Sequence, residues 1–196
     1  NKLDRTGAVY TRTYDMLIER LHAPVVLLQL PIGTEGEFAG IVDLIDMKAY
    51  VWDLEANKGD EFETLEIPAN MLDEAKAKRA EMIEKLADID DSIMELFMEE
   101  KEPSREQIIA AIRKGTVNFS VVPVIMGSAF KNKGVQQMLD AVVRYLPSPL
   151  EVGAIKGFKQ GDPSVEIDRA PSEDEPFSAL AFKIMSDPHL GKLTYI

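Results

Sequence analysis

Ser120-Val121-Val122-Pro123-Val124-Ile125-Met126-Gly127-Ser128-Ala129-Phe130-Lys131-Asn132-Lys133-Gly134 reads as a strand, a tight turn and the opening of a helix. The nearly continuous apolar run to Met126 predicts a strand buried on both faces. After the turn, Val135, Met138, Leu139, Val142, Val143 and Leu146 recur at i, i+3, i+4, i+7, i+8 and i+11, the stripe of a strongly amphipathic helix. Pro147-Ser148-Pro149 ends it. A buried strand followed by such a helix points to an α/β class of fold.

Upstream, Thr6 to His22 predicts a helix that Thr6 caps and Pro24 stops, with Val9, Leu17, Ile18 and Leu21 on a partly apolar face. Pro24 to Ile32 and Phe38 to Trp52 predict strands joined by a turn at Gly33 to Gly36, an antiparallel meander because no helix separates them. Helices follow. Pro68 opens one carrying Met71, Leu72, Ala75, Met82, Ile83 and Leu86; Asp90 or Asp91 caps a second. Ser104 with Gln107 spells a capping box for a third, which Gly115 would close. Downstream, the Pro-, Gly- and charge-rich stretch 148–175 reads as a linker. Phe177 to Met185 then predicts a strand, Asp187 to Gly191 a turn, and Leu193 the start of a partner strand.

Composition narrows the chemistry. Of 196 residues 45% are hydrophobic and 29% charged, which excludes wholesale disorder. No apolar run approaches the roughly 20 residues of a membrane-spanning helix. With no cysteine, disulfides, Cys-ligated zinc and a thiol nucleophile are excluded. The two histidines, His22 and His189, read as surface or helix-end residues, so no metal ligand is expected. A net charge of −12 argues against binding nucleic acid through the overall field. The charge is concentrated: residues 53–106 hold 18 acidic and 7 basic side chains, a balance of −11, and the remainder sums to −1. A polar start at Asn1 and an end inside the β-branched Leu193-Thr194-Tyr195-Ile196 lead us to expect an internal fragment of a longer protein.

Two short motifs carry a specific chemistry. Asn1-Lys2-Leu3-Asp4 fits the Asn-Lys-x-Asp pattern of guanine recognition. Guanine presents two adjacent donors, a ring N–H and an exocyclic amino group, and one fixed carboxylate, here Asp4, can accept both. Adenine has no such pair and would leave the carboxylate desolvated and unpartnered, a mismatch worth ~10⁴-fold in discrimination. Lys2 would lay its methylene stem along the base, and the Asn1 amide would bridge base and loops. Ser128-Ala129, after the strand, would offer the Ala129 N–H to the guanine carbonyl oxygen. Read singly, the first string is equally a polar loop before a helix and the second an ordinary strand-to-helix turn. Together, in this order, they form a pair. No G-x-x-x-x-G-K-[ST] occurs, so the phosphate cradle and its Mg²⁺-binding hydroxyl are absent from the chain. Asp4 to Gly7 is the one Asp-x-x-G and overlaps the base motif, and Asn118-Phe119-Ser120 matches a glycosylation sequon by chance.

Asn1-Lys2-Leu3-Asp4-Arg5-Thr6-Gly7, Gly127 to Gln136, Tyr145-Leu146-Pro147-Ser148-Pro149 and Pro176 to Lys183 resemble bacterial-type elongation factor G, a family of translational GTPases. Gly40 to Ala49, followed by Trp52, resembles the signature of that family's insert, and the likeness runs the full length. The resemblance implies the C-terminal part of a P-loop GTPase G domain in residues 1–23 and 120–147, with an inserted α+β subdomain in 24–119. It further implies a linker in 148–175 and the first strands of an all-β barrel domain in 176–196. Asn1, Lys2, Asp4, Ser128 and Ala129 would bind the guanine of GTP or GDP, with Mg²⁺ held by an N-terminal part the chain lacks. Implied partners are the ribosome, its rRNA and proteins, including a stalk protein docking on the insert, and indirectly the tRNA–mRNA complex. A cytoplasmic, membrane-free setting follows. The family hydrolyses GTP to drive translocation; this chain, without catalytic residues, is not expected to do so alone. Release, recycling and ribosomal-protection GTPases share the guanine motifs, and a non-catalytic interaction module built on the acidic helices is an alternative of another class. An apolar edge left open along Ser120 to Met126 predicts self-association.

Overall fold

A computed structural model describes residues 1–52 and 61–196, and the chain divides between Leu146 and Pro147 into two units. The first carries α1 (Tyr10–Glu19), β1 (Val25–Leu27), β2 (Gln29–Ile32), β3 (Gly40–Asp43), β4 (Lys48–Val51) and β5 (Glu63–Leu65). These precede α2 (Leu72–Ala87), α3 (Asp91–Met98), α4 (Arg105–Val117), β6 (Val122–Val124) and α5 (Val135–Tyr145). Residues 53–60, the start of the acidic stretch, lie outside the described residues.

The run from Pro24 to Ile32 is not one strand of a meander. β1 pairs in parallel with β6, Val25 opposite Val122, whereas β2 joins the antiparallel sheet β2-β3-β4-β5. The switch takes one residue. Leu28 donates its N–H to the Val124 carbonyl at 3.0 Å, and its own carbonyl accepts the Leu44 N–H at 2.9 Å. Leu28 therefore belongs to both sheets, and the chain crosses between them without a loop. The meander expectation holds from Gln29 onward; β1 departs from it because its partner lies nearly a hundred residues downstream.

One core joins the sheets to the acidic helices. Leu30, Ile41, Val42, Leu44 and Trp52 meet Met82, Leu86, Ile93, Ile108 and Ile112, all buried. Each such aliphatic side chain stabilises by about 1.5–3 kcal/mol. Trp52 also packs on Phe62 with ring centroids 5.4 Å apart. Asp90 caps α3 through the Ser92 N–H, and the Ser104–Gln107 box caps α4, as their spelling predicts. Cationic side chains satisfy the carbonyls where the chain turns corners: Arg79 reaches Leu44 and Ile45 O at 2.7 and 2.8 Å, and Lys85 reaches Val25 O at 3.2 Å.

Several expectations fail for physical reasons. α1 begins at Tyr10 rather than Thr6, with Val9 at its N-cap and no side-chain cap, because Arg5 to Gly7 turns back on itself instead. None of its residues is fully buried, and Val9, Ile18 and Leu21 face solvent. Gly115 does not end α4, which runs to Val117; a Cβ there would stand 2.6 Å from Val121 Cγ2 and 2.7 Å from Ile89 Cδ1, so glycine serves close packing. β6 is not buried on both faces: Val122 is exposed, and Pro123, with no N–H to donate, suits an edge. The stripe on α5 is largely open, with Leu139 and Val143 exposed and Tyr145 the helix's one fully buried residue.

The second unit holds α6 (Pro149–Val152), β7 (Ile155–Lys159), β8 (Asp162–Arg169), β9 (Lys183–Asp187) and β10 (Gly191–Tyr195). The stretch read as a linker thus contains a short capped helix and a β7–β8 hairpin. β9 starts at Lys183, six residues later than the alternation from Phe177 predicts, and pairs antiparallel with β10. Among the described residues no helix is long and apolar enough to cross a membrane.

Candidate functional site

Asn1 to Asp4 and Ser128 to Ala129, distant in sequence, meet in the structure. The Leu3 N–H reaches the Gly127 carbonyl at 3.4 Å, and Leu3 itself is buried. This anchors the first loop beside the second. The Ser128 hydroxyl then donates to Asp4 Oδ1 at 2.6 Å, across 124 positions of sequence. Asn1 Oδ1 accepts two backbone N–H groups, Lys2 at 2.8 Å and Ala129 at 3.0 Å. Asn1 thus bridges the two loops. The Ala129 N–H is not open as the sequence reading has it: Asn1 holds it.

The second loop is stiff. Ser128 and Lys133 exchange backbone hydrogen bonds at 2.9 and 3.0 Å, closing a small antiparallel bridge. Ser128 is 0% exposed, and its Oγ also accepts the Lys131 N–H at 3.3 Å. Gly134 follows at φ +81, where a Cβ would stand 2.7 Å from the Met126 carbonyl, so the turn into α5 demands glycine. The two loops line a cleft of about 160 Å³ whose walls include Asn1, Ser128, Ala129, Gly134 and Met138. Phe130, next in sequence after Ala129, stands exposed with the Arg5 guanidinium and the Lys131 ammonium each 5.9 Å from its ring.

The Ser128 hydroxyl, ahead of the loop's own backbone and of Arg5 and Lys131, holds the Asp4 carboxyl below the usual carboxylate range. An ionised, hydrogen-bonded carboxylate with an oxygen left over is suited to accept further N–H donors. Lys2, in contrast, sits at φ 67 with its side chain exposed and makes no side-chain hydrogen bond within the loop. The chemistry of the Asp4 carboxylate is that of an acceptor for paired N–H donors.

Two residues of this neighbourhood carry no signal in the sequence. Glu35 and Lys133 tie the loops to the β2–β3 connection through bonds that span 28 and 95 positions. Lys133 lies within the Gly127–Gln136 stretch without a role read from it, and Glu35 reads only as part of a Gly-bounded turn.

A family model described as the elongation factor Tu GTP binding domain matches residues 1–148. A crystal structure of a Thermus thermophilus protein superposes with a TM-score of 0.69 at 23% identity, over 98% of this chain and 25% of that one. The chain therefore spans about a quarter of that protein's length. At this identity the likeness establishes a shared fold.

Proposed function

Since the chain belongs to the elongation factor Tu GTP-binding-domain family, we propose that it is the base-recognition part of a translational GTPase of the elongation factor G type. The observation that carries this reading is the 2.6 Å bond between Ser128 Oγ and Asp4 Oδ1, which unites the two guanine-edge motifs. In this reading Asp4 accepts the ring N–H and the amino group of guanine. Lys2 covers the base with its alkyl stem. Asn1 yields the Ala129 N–H to the guanine carbonyl oxygen when nucleotide arrives, and Ser128 keeps the carboxylate charged and aimed.

Residues 1–23 and 120–147 are then the C-terminal part of the G domain, 24–119 its insert, 148–175 the connection and 176–196 the opening of a barrel domain. GTP or GDP is the ligand. The residues that hold its phosphates and Mg²⁺ lie in a part of the protein other than this chain, which accordingly does not hydrolyse GTP alone. The insert docks on the ribosome in a cytoplasmic setting: Phe97 and Met98 are exposed on α3, beside Glu95, Glu99 and Glu100, a surface suited to the stalk protein. Movement of tRNA and mRNA follows from the parent protein's cycle.

The test is a swap of hydrogen-bond polarity at Asp4. Xanthine carries a carbonyl where guanine has its amino group, so Asp4→Asn in the full-length protein exchanges the partner that suits guanine for one that can donate to xanthine. GDP affinity is expected to fall by about 10³-fold or more, with xanthosine diphosphate gaining. Unchanged preference for GDP would remove Asp4 from the site.

A further inference from the structure

The connection between β2 and β3 does more than reverse the chain. Glu35 donates its backbone N–H to the Leu3 carbonyl at 3.0 Å and accepts the Gly7 N–H on Oε1 at 2.8 Å. Three residues on, the Phe38 carbonyl accepts the Lys133 ammonium at 3.0 Å. One short segment therefore grips both halves of the site: the loop that carries Asp4 and the bridge that carries Ser128.

Both contacts are made at a cost. Glu35 sits at φ 54, left-handed backbone that strains a non-glycine residue. Lys133 is 6% exposed, and taking an ammonium out of water is unfavourable before its hydrogen bonds are counted. Filling space would need neither. Phe38, whose carbonyl receives the ammonium, is itself buried at 2% exposure.

We propose that Glu35 and Lys133 are positioning residues for base recognition. The β2–β3 connection holds the Asn1–Gly7 loop and the Ser128–Lys133 bridge at the separation from which Asp4 and Ala129 address a single guanine. The inference rests on the base-recognition reading above and deepens it. Lys133 acts through its backbone pair with Ser128, and Ser128 acts through its hydroxyl on Asp4. Glu35 acts on the same carboxylate by holding Leu3 and Gly7, which flank Asp4 in the loop. Force applied to β2 or β3 thus reaches the base through two short chains of hydrogen bonds.

Binding and dissociation of GDP and of inosine diphosphate, which lacks the exocyclic amino group, separate positioning from stability in the full-length protein. A loss of folded protein weakens both nucleotides alike, whereas a displaced Asp4 erases the preference between them. Glu35→Ala and Lys133→Met are each expected to cut the GDP-over-inosine preference by about 10-fold, the worth of one charge-assisted hydrogen bond. Glu35→Gln keeps an oxygen for the Gly7 N–H and is expected to retain the preference. Where Lys133→Met lowers the melting temperature too far to measure, the Glu35 pair carries the comparison. Wild-type discrimination that survives in Glu35→Ala, or an equal loss for both nucleotides, overturns the positioning role and leaves base recognition standing. Wild-type protein indifferent to the amino group, with Asp4→Asn equally indifferent, overturns the base-recognition reading and the inference with it.

Discussion

Two carboxylates in the first unit are driven in opposite directions. Asp4 is held below the usual range by the Ser128 hydroxyl; Asp43 is pushed above it by burial. The linkage signs follow. What Asp4 contributes is present above its unfolded value and is lost only as pH falls through a folded value lower than normal, so the site's geometry outlasts mild acid. What Asp43 contributes is fullest below its unfolded value and is lost as pH rises through the folded one. Burial thus weighs against its charged form, while Oδ1 accepts the Ile45 and Asp46 N–H groups at 2.8 Å each. Asp43→Asn retains an oxygen acceptor and sheds the charge. It is expected to melt at the wild-type temperature or above it at neutral pH, with the difference shrinking on acidification. Asp43→Ala, which abandons two N–H groups, should lose about 1–3 kcal/mol. Thermal melts across pH check both, and an Asn variant that melts lower at neutral pH would show that burial is not what governs Asp43. Asp4, Ser128 and Ala129 are legible in the sequence as two short motifs, and the structure brings the two loops together. The roles of Glu35 and Lys133 are not, because a side-chain bond to a distant backbone N–H or carbonyl sets no pattern in the residues around it.

At the scale of elements, legibility follows locality. The Ser104–Gln107 box and the Asp90 cap are spelled within four residues, and both form. The parallel pairing of β1 with β6 has no local trace, so Val25 to Leu27 reads as the start of a meander. The β7–β8 hairpin is hidden because Gly157, Gly161 and Pro163 lend a strand-forming stretch the composition of a linker. Gly115 is the instructive error, since glycine near a helix end suggests a cap whereas its neighbours Val121 and Ile89 leave no room for a methyl group. Gly115→Ala removes the helix-propensity cost of glycine, about 1 kcal/mol, yet overpacks the joint between α4 and the chain entering β6. Net destabilisation of about 1–2 kcal/mol in a denaturant melt is expected. A stabilised variant would mean the neighbours yield and the close packing is incidental.

In the whole molecule, every buried residue of the core cluster falls in the first unit. The apolar stripe of α5 stays open there: Leu139 is 55% and Val143 80% exposed, and Val122 of β6 is also uncovered. This chain alone is therefore expected to self-associate as its concentration rises, and Leu139→Glu with Val143→Lys to suppress it. Light scattering over a concentration series measures this; a monomer throughout would show that these residues do not drive association. The joint at Leu28 has a different kind of consequence. With one residue serving two sheets, adding or removing a single codon between Leu27 and Gln29 would turn β2 over, sending fully buried Leu30 to the opposite face. The hairpin tip at Gln160 and Gly161, both exposed, can lengthen or shorten freely. Descent can thus edit the length of this chain at its hairpin, but it must hand down the two sheets of the first unit in a single frame.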